Sequence, residues 1–226
     1  MRKPIQPGSL NLPAASLAER QLPLSSRGHA NGQIIVGHGA QRRGLFVESD
    51  LELKWATVLD VDPDVAGLKE QVRVEWNDGT QQRTHYFDFV ANMRSGRRVA
   101  MVVKPSHRAR TEKFQSDVRL IARSAVRSGL VDEVRVLTEE GLDDVTVRNA
   151  RFLRNVRGAD DFADAKARKV AADLLGCVSL AVLTAQTKLN SRGFRALVRL
   201  LLLGELKSVR HELISPDALV KRGVAQ

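Results

Sequence analysis

Apolar residues recur along this chain with two different periods, and the switches between them outline a fold. Residues 1 to about 31 show neither period and are rich in Pro, Ser, Ala, Gly and Arg, which predicts a flexible basic N-terminal arm. Gln33 to Val36 predicts a short strand broken by Gly37 and Gly39. Val47, Leu51, Trp55 and Val58 fall at helical spacing, so a helix is expected from Ser49 to the Asp62-Pro63-Asp64 stop. Val72, Val74 and Trp76 then alternate strictly. Asn77-Asp78-Gly79 turns the chain, and a second strand follows through about Arg83 to Ala91. Arg94-Ser-Gly-Arg97 makes another turn before a third strand, Val99 to Lys104. Phe114, Val118, Ile121 and Ala125 recur at steps of four, three and four and predict one helix over Arg110 to Arg127, closed by Gly129. Val134 to Leu137 reads as a fourth strand and Val145 to Val156 as a further helix.

A helix, a three-stranded antiparallel meander, a helix, a strand and a helix each have one apolar side to bury, and the economical solution is a mixed sheet between helices over 32–157, an α/β sandwich. After Arg157-Gly158 the pattern changes to short helices over Ala163 to Leu175, Ser179 to Leu189 and Arg192 to Leu203. A brief strand is expected at Leu206 to Val209. Ser215-Pro216-Asp217 reads as the cap and first turn of a last helix. Residues 158–226 are thus expected to form a small helical or winged-helix C-terminal domain. Leu200 to Leu203 is apolar nearly all round, as in a buried helix or a partner surface.

Charge changes the picture. The 226 residues carry 36 Lys and Arg against 26 Asp and Glu, a formal net charge of +10, with 43% hydrophobic residues. The excess favours a polyanionic partner. Much of it falls together, at Arg94, Arg97, Arg98, Lys104, Arg108, Arg110 and Lys113, whereas acids gather at Glu139 to Asp144 and Asp160 to Asp164. Cys177 is the one cysteine, which excludes an internal disulfide or a cysteine-rich zinc site and suggests a reducing compartment. It reads as a small buried apolar residue. No secretory signal or apolar window of membrane-spanning length is seen, so a cytoplasmic protein without membrane contact is expected.

The candidate chemistry lies in the meander. A helix extended back as far as Glu48 would set Glu48 and Glu52 one turn apart, and strand geometry sets Val102 and Lys104 on one face, Met101 and Val103 on the other. Asp88 lies opposite Phe87 and Phe89 in the alternation of its strand, so the two rings are expected to enter the core while Asp88 and Lys104 meet in a cleft. Two carboxylates, Glu52 and Asp88, can hold Mg²⁺, with Mn²⁺ as a substitute, and Lys104 can orient water or stabilise developing charge. Each residue has a plainer reading. Ser49-Asp-Leu-Glu52 fits a capping box, Asp88 fits an exposed strand position, and Lys104 fits an edge strand that needs solubility.

The ordered motifs Glu48-Ser-Asp-Leu-Glu52, Leu59-Asp-Val-Asp-Pro-Asp-Val65, Lys69-Glu-Gln71, Phe87-Asp-Phe-Val90, Val102-Val-Lys-Pro105 and Val136-Leu-Thr-Glu139 resemble the TnsA family of transposon end-cleaving endonucleases over roughly Arg43 to Arg157. The resemblance implies a restriction-endonuclease-like nuclease fold: a mixed sheet flanked by helices, with a second, helical domain. It carries the catalytic glutamate onto Glu52, the aspartate onto Asp88 and the lysine onto Lys104, with Glu52 and Asp88 as the metal ligands. It implies a Mg²⁺-dependent DNA endonuclease subunit of a heteromeric transposase, cutting the 5′ ends of a transposon. The implied partners are double-stranded DNA at transposon ends, an integrase-like transposase subunit and an ATPase transposition regulator. The family's remaining site position, Gln or Glu, falls on Val102. Either Glu48 supplies a displaced carboxylate, with a backbone carbonyl near Val103, or the chain is a catalytically inactive DNA-binding and scaffolding subunit. A winged-helix DNA-binding regulator is the third reading.

Overall fold

The computed structural model describes residues 12–20 and 32–223. The expected arm is therefore seen only over 12–20; the remainder of it lies outside the described residues. Sixteen named elements follow in order: β1 (Gly32–Val36), β2 (Arg43–Val47), α1 (Asp50–Leu59), β3 (Val65–Asn77), β4 (Gln82–Met93), β5 (Arg98–Val103), α2 (Ser106–Ala109), α3 (Glu112–Arg127), β6 (Glu133–Leu137), α4 (Asp144–Val156), α5 (Asp161–Ala172), β7 (Cys177–Ser179), α6 (Leu180–Thr187), α7 (Asn190–Leu202), β8 (Leu206–Ser208) and β9 (Leu219–Arg222). The chain is α/β: a mixed four-stranded sheet in the order β3-β4-β5-β6, flanked by helices. The meander is antiparallel and β6 joins β5 in parallel. No described helix is long and apolar enough to cross a membrane.

Two apolar clusters cover the two faces of this sheet. Under α1 and the β1–β2 hairpin lie Leu45, Leu59, Leu68, Phe89, Val99, Met101 and Val103. Under α3 lie Val72, Val74, Trp76, Phe87, Val90, Ala100, Val102, Ile121 and Ala125. Phe87 and Phe89 are thus buried in different clusters, which corrects the expected shared face. The cause is a break in both strands of the hairpin: Gln71, between Glu70↔Phe89 and Val72↔Phe87 in the register, has φ +50°. A left-handed residue in one strand cannot keep the pleat, so the faces exchange at that point, and Asp88 is the residue across from it.

Residues 12–20 run beside the open edge of β3. Ala14 bridges Arg43, the Ser16 hydroxyl donates to Glu70, and the Glu19 N–H donates to the Gln71 carbonyl at 3.2 Å. The strap covers an edge that would otherwise present unpaired backbone groups. Beneath it Glu70 is fully buried, with its carboxylate on Arg43 at 2.7 Å.

Past α4 the chain forms three helices and a three-stranded antiparallel sheet, β7-β9-β8. The expected last helix at Ser215 is instead a turn leading into β9. Carbonyls of Pro216 and Ala218 accept the N–H groups of Ala181 and Leu180, the unpaired first donors of α6. Cys177, expected to be buried, is exposed at the start of β7. The helix expected over Arg110–Arg127 begins at Glu112, capped by Thr111, with the short α2 before it. α4 joins the two halves: Arg154 and Arg157 both reach Asp60, at 2.8 and 2.7 Å, while Asn149 bonds the backbone of Glu212 and Ile214.

Candidate active site

Asp88 stands where two strands part. The β4–β5 ladder runs from Asn92↔Arg98 to Phe89↔Met101 and goes no further, while β5 continues beside β6 to Val103↔Leu137. In the opening, the Asp88 carboxylate accepts the Val103 N–H at 2.7 Å, taking the bond that a strand neighbour would have made. The carboxylate is only partly accessible to water. Burial first, and then the charge of Glu52, push its pKa up to about 7; the Val103 N–H and the Lys104 ammonium act in the opposite direction, and Glu48 adds to the rise.

Glu52 enters from the first turn of α1. Its carboxylate accepts the Glu48 N–H at 2.8 Å and the Ser49 hydroxyl at 2.9 Å, and Ser49 Oγ in turn accepts the Glu52 N–H at 3.1 Å. This is a reciprocal helix cap of the kind expected at Ser49-Asp-Leu-Glu52. The capped glutamate is nevertheless buried, at 7% exposure, and burial holds its carboxyl above the usual range, with the Lys104 charge opposing. Cap and acid pair are therefore compatible roles for one side chain.

Lys104, just beyond β5 and anchored by its N–H to the Leu137 carbonyl at 3.0 Å, acts electrostatically on both carboxyls. The three residues singled out in the sequence thus share one electrostatic site. Val102 does not join them: it is fully buried in the apolar cluster beneath α3. Glu48 belongs to the rim, where Arg20 of the strap holds it at 2.9 Å.

Two neighbours had no signal in the sequence. Arg20 lay within the presumed arm, yet its guanidinium sits over the Tyr86 ring, 5.9 Å from the centroid, as well as on Glu48. His85 is neutral, its pKa pushed down to about 4 by burial and then by Lys104. The basic run around Lys104 is largely engaged: Arg97 pairs with Glu133, Arg110 with Glu140, and Arg98 and Arg94 donate to the Gly129 and Pro63 carbonyls.

The donor set is all oxygen, which suits a hard divalent cation. Two carboxylates share a partly dry cleft with the single ammonium of Lys104, and further positive charge would favour the ionised form of both. Mg²⁺ keeps several waters and needs only one or two carboxylates, so Glu52 and Asp88 fit it in kind. Among the described residues no group of three or more His, Cys, Asp or Glu side chains is arranged to hold a metal. No family model matches the chain, and no curated protein matches it.

Proposed function

We propose that this protein is a Mg²⁺-dependent DNA endonuclease subunit of a heteromeric transposase, related to the TnsA family and built on its restriction-endonuclease-like fold. The observation that carries the reading is Asp88 in the gap between β4 and β5, electrostatically coupled to Glu52 and Lys104. Parted strands expose the side chains at their ends to a ligand as large as a phosphodiester, which a closed ladder would exclude. On this reading, Glu52 and Asp88 hold the cation. When bound, the cation supplies charge stabilisation at the scissile phosphate and a more acidic attacking water.

The protein's own contribution is positional. The Val103 N–H fixes Asp88, the Ser49 hydroxyl and the Glu48 N–H fix Glu52, and Lys104 brings a positive charge to where negative charge develops. Burial of Val102 leaves no side chain at the family's fourth position, so orientation of water falls to Lys104 and to the rim. The partners on this reading are duplex DNA at transposon ends, an integrase-like transposase subunit and an ATPase regulator, in the cytoplasm. In the C-terminal domain the order helix, strand, helix, helix, strand, strand, from α5 to β9, supports a winged helix. The test is cleavage of transposon-end DNA by the reconstituted subunits with Mg²⁺. Asp88→Ala abolishes nicking by this subunit, and an Asp88→Ala protein that cuts normally would sink the proposal.

The second reading, a catalytically silent scaffold, is favoured by one observation. Glu48, the carboxylate that stood in for the missing fourth group, is paired with Arg20.

A further inference from the structure

Twelve arginines among the described residues pair with an Asp or Glu; the three on the outer side of α3 do not, and they fall in one row. Arg119, Arg123 and Arg127 are exposed and, among the described residues, make no ion pair or side-chain hydrogen bond. They recur every four residues, so they form a row about 12 Å long with a charge every 6 Å or so. Ser116 extends the same side toward the helix start. The two acids of α3, Glu112 and Asp117, precede the row, and from Val118 onward the helix has no acid.

Two features set this row apart from an ordinary solvated face. Like charges four residues apart repel and weaken an isolated helix, where a Glu at either spacing would have stabilised it. The helix dipole favours a cation in the last turn, which accounts for Arg127 but not for Arg119, two turns earlier. The partner's chemistry follows from the shape and surroundings of the row. Guanidinium groups bind phosphate in a fork, and a straight row over 12 Å matches a rigid backbone carrying one phosphate per roughly 3.4 Å along each strand. Single strands are held on stacking aromatic rings, and the only large apolar side chain exposed on α3 is Val126.

We propose that the Arg119, Arg123 and Arg127 face of α3 is a docking track for the phosphate backbone of duplex DNA. α3 packs over the sheet through Ile121 and Ala125, and its chain leads directly out of Lys104 through α2. The track is thus rigidly tied to the candidate cleft while touching none of its residues. The duplex is the one expected from the endonuclease reading, and the inference rests on that reading only for the choice of substrate.

The experiment measures binding of a fluorescein-labelled duplex of arbitrary sequence by anisotropy across a salt series, for the full chain. Arg119→Gln, Arg123→Gln and Arg127→Gln are combined in one variant. A control variant combines Arg148→Gln, Arg151→Gln and Arg195→Gln, which removes three cations that are also exposed and unpaired, on α4 and α7. Removing three phosphate contacts makes the slope of log affinity against log salt shallower by about 3 and weakens binding roughly tenfold or more at moderate salt. The control keeps its slope. Equal losses in both variants, an unchanged slope in the α3 variant, or equally tight binding of a single strand of the same length would each overturn the track. Asp88→Ala separates the two proposals. If this variant still cuts while the α3 variant loses binding, the active-site assignment fails and the track stands. If it binds but cannot cut while the α3 variant binds normally, the reverse holds.

Discussion

Asp88 offers a quantitative handle on the cleft through its proton. An aspartate carboxyl ordinarily titrates at 3.8, and here burial and the Glu52 charge hold it at about 7. A group whose folded pKa is raised binds its proton more tightly in the folded state. Its contribution to stability is therefore full below the unfolded value and is lost as pH rises through the interval from about 4 to about 7. At full burial the loss is on the order of 4 kcal/mol. Asp88 is only half-buried, so about 1–2 kcal/mol is the working expectation, equivalent to roughly 2–8 °C in melting temperature for a chain of this size. A divalent cation held by the two carboxylates compensates that loss only where they are ionised. Calorimetric melting with and without Mg²⁺, at about pH 5 and about pH 8, therefore gives a larger metal-induced rise at the higher pH, accompanied by proton release on binding. Asp88→Asn keeps an oxygen for the Val103 N–H but has no charge to place. It melts at least as high as the native protein at the upper pH without metal, and its Mg²⁺ response disappears. A metal response independent of pH, or an Asn variant less stable than the parent at the upper pH, would refute the reasoning.

Glu52→Gln retains an acceptor for the Glu48 N–H and so costs under about 1 kcal/mol of stability, while Mg²⁺ binding by titration calorimetry falls sharply; a collapse in stability would mean that the negative charge itself sustains the cap. Arg43→Ala strands the fully buried Glu70 carboxylate and lowers stability by about 3–5 kcal/mol, read as a fall on the order of 10 °C in melting temperature. Arg43→Lys recovers only part of that, because the Arg43 guanidinium also bonds the Gly44 and Leu68 carbonyls. Val102→Gln forces an amide into the cluster of Val72, Phe87 and Ile121 and costs about 2–3 kcal/mol in denaturant melts; a variant as stable as the parent would show that position 102 opens to the cleft.

The elements that sequence resolved are those whose signal is local. The cap at Ser49 and Glu52, the Asn77-Asp78-Gly79 turn and the stripe through Ile121 and Ala125 all report on residues a few positions apart, and all are formed. β7 and β9 were missed because three- and four-residue strands exist only through each other, and Val178 pairs with Val220 across forty-two positions. Ser215-Pro216-Asp217 misled because the same residues that open a helix also make a turn; the carbonyls that follow serve α6 instead. In the cleft, the acids and the lysine were legible as types at a spacing. The break at Gln71 was not, because alternation on either side of a single left-handed residue looks continuous in one dimension. Arg20 was hidden for a different reason, since its place depends on a strap that composition presents as featureless.

α7 bears on how the two halves divide any work on DNA. In a winged helix the second helix of the α6–α7 pair is the one that enters a groove, which requires a free side rich in polar groups. Ala196, Leu197, Val198 and Leu200 are instead completely buried, and Leu202 meets Val61 and Ala150 of the sheet domain. Arg199 is spent on Asp164 at 2.7 Å and Arg192 on Asp160, also at 2.7 Å. Only the first turns of α7 remain accessible, through Ser191 and Arg195. The segment between β8 and β9, the wing on that reading, is also tethered, with His211 on Asp143 at 3.0 Å and Glu212 on Asn149. A helix enclosed by α4, α5 and α6 cannot read bases without undocking and exposing its leucines, which makes a freestanding regulator the least economical of the three functional readings. The burial pattern instead suits a C-terminal domain that braces α4, and α4 in turn fixes α1, the helix that carries Glu52.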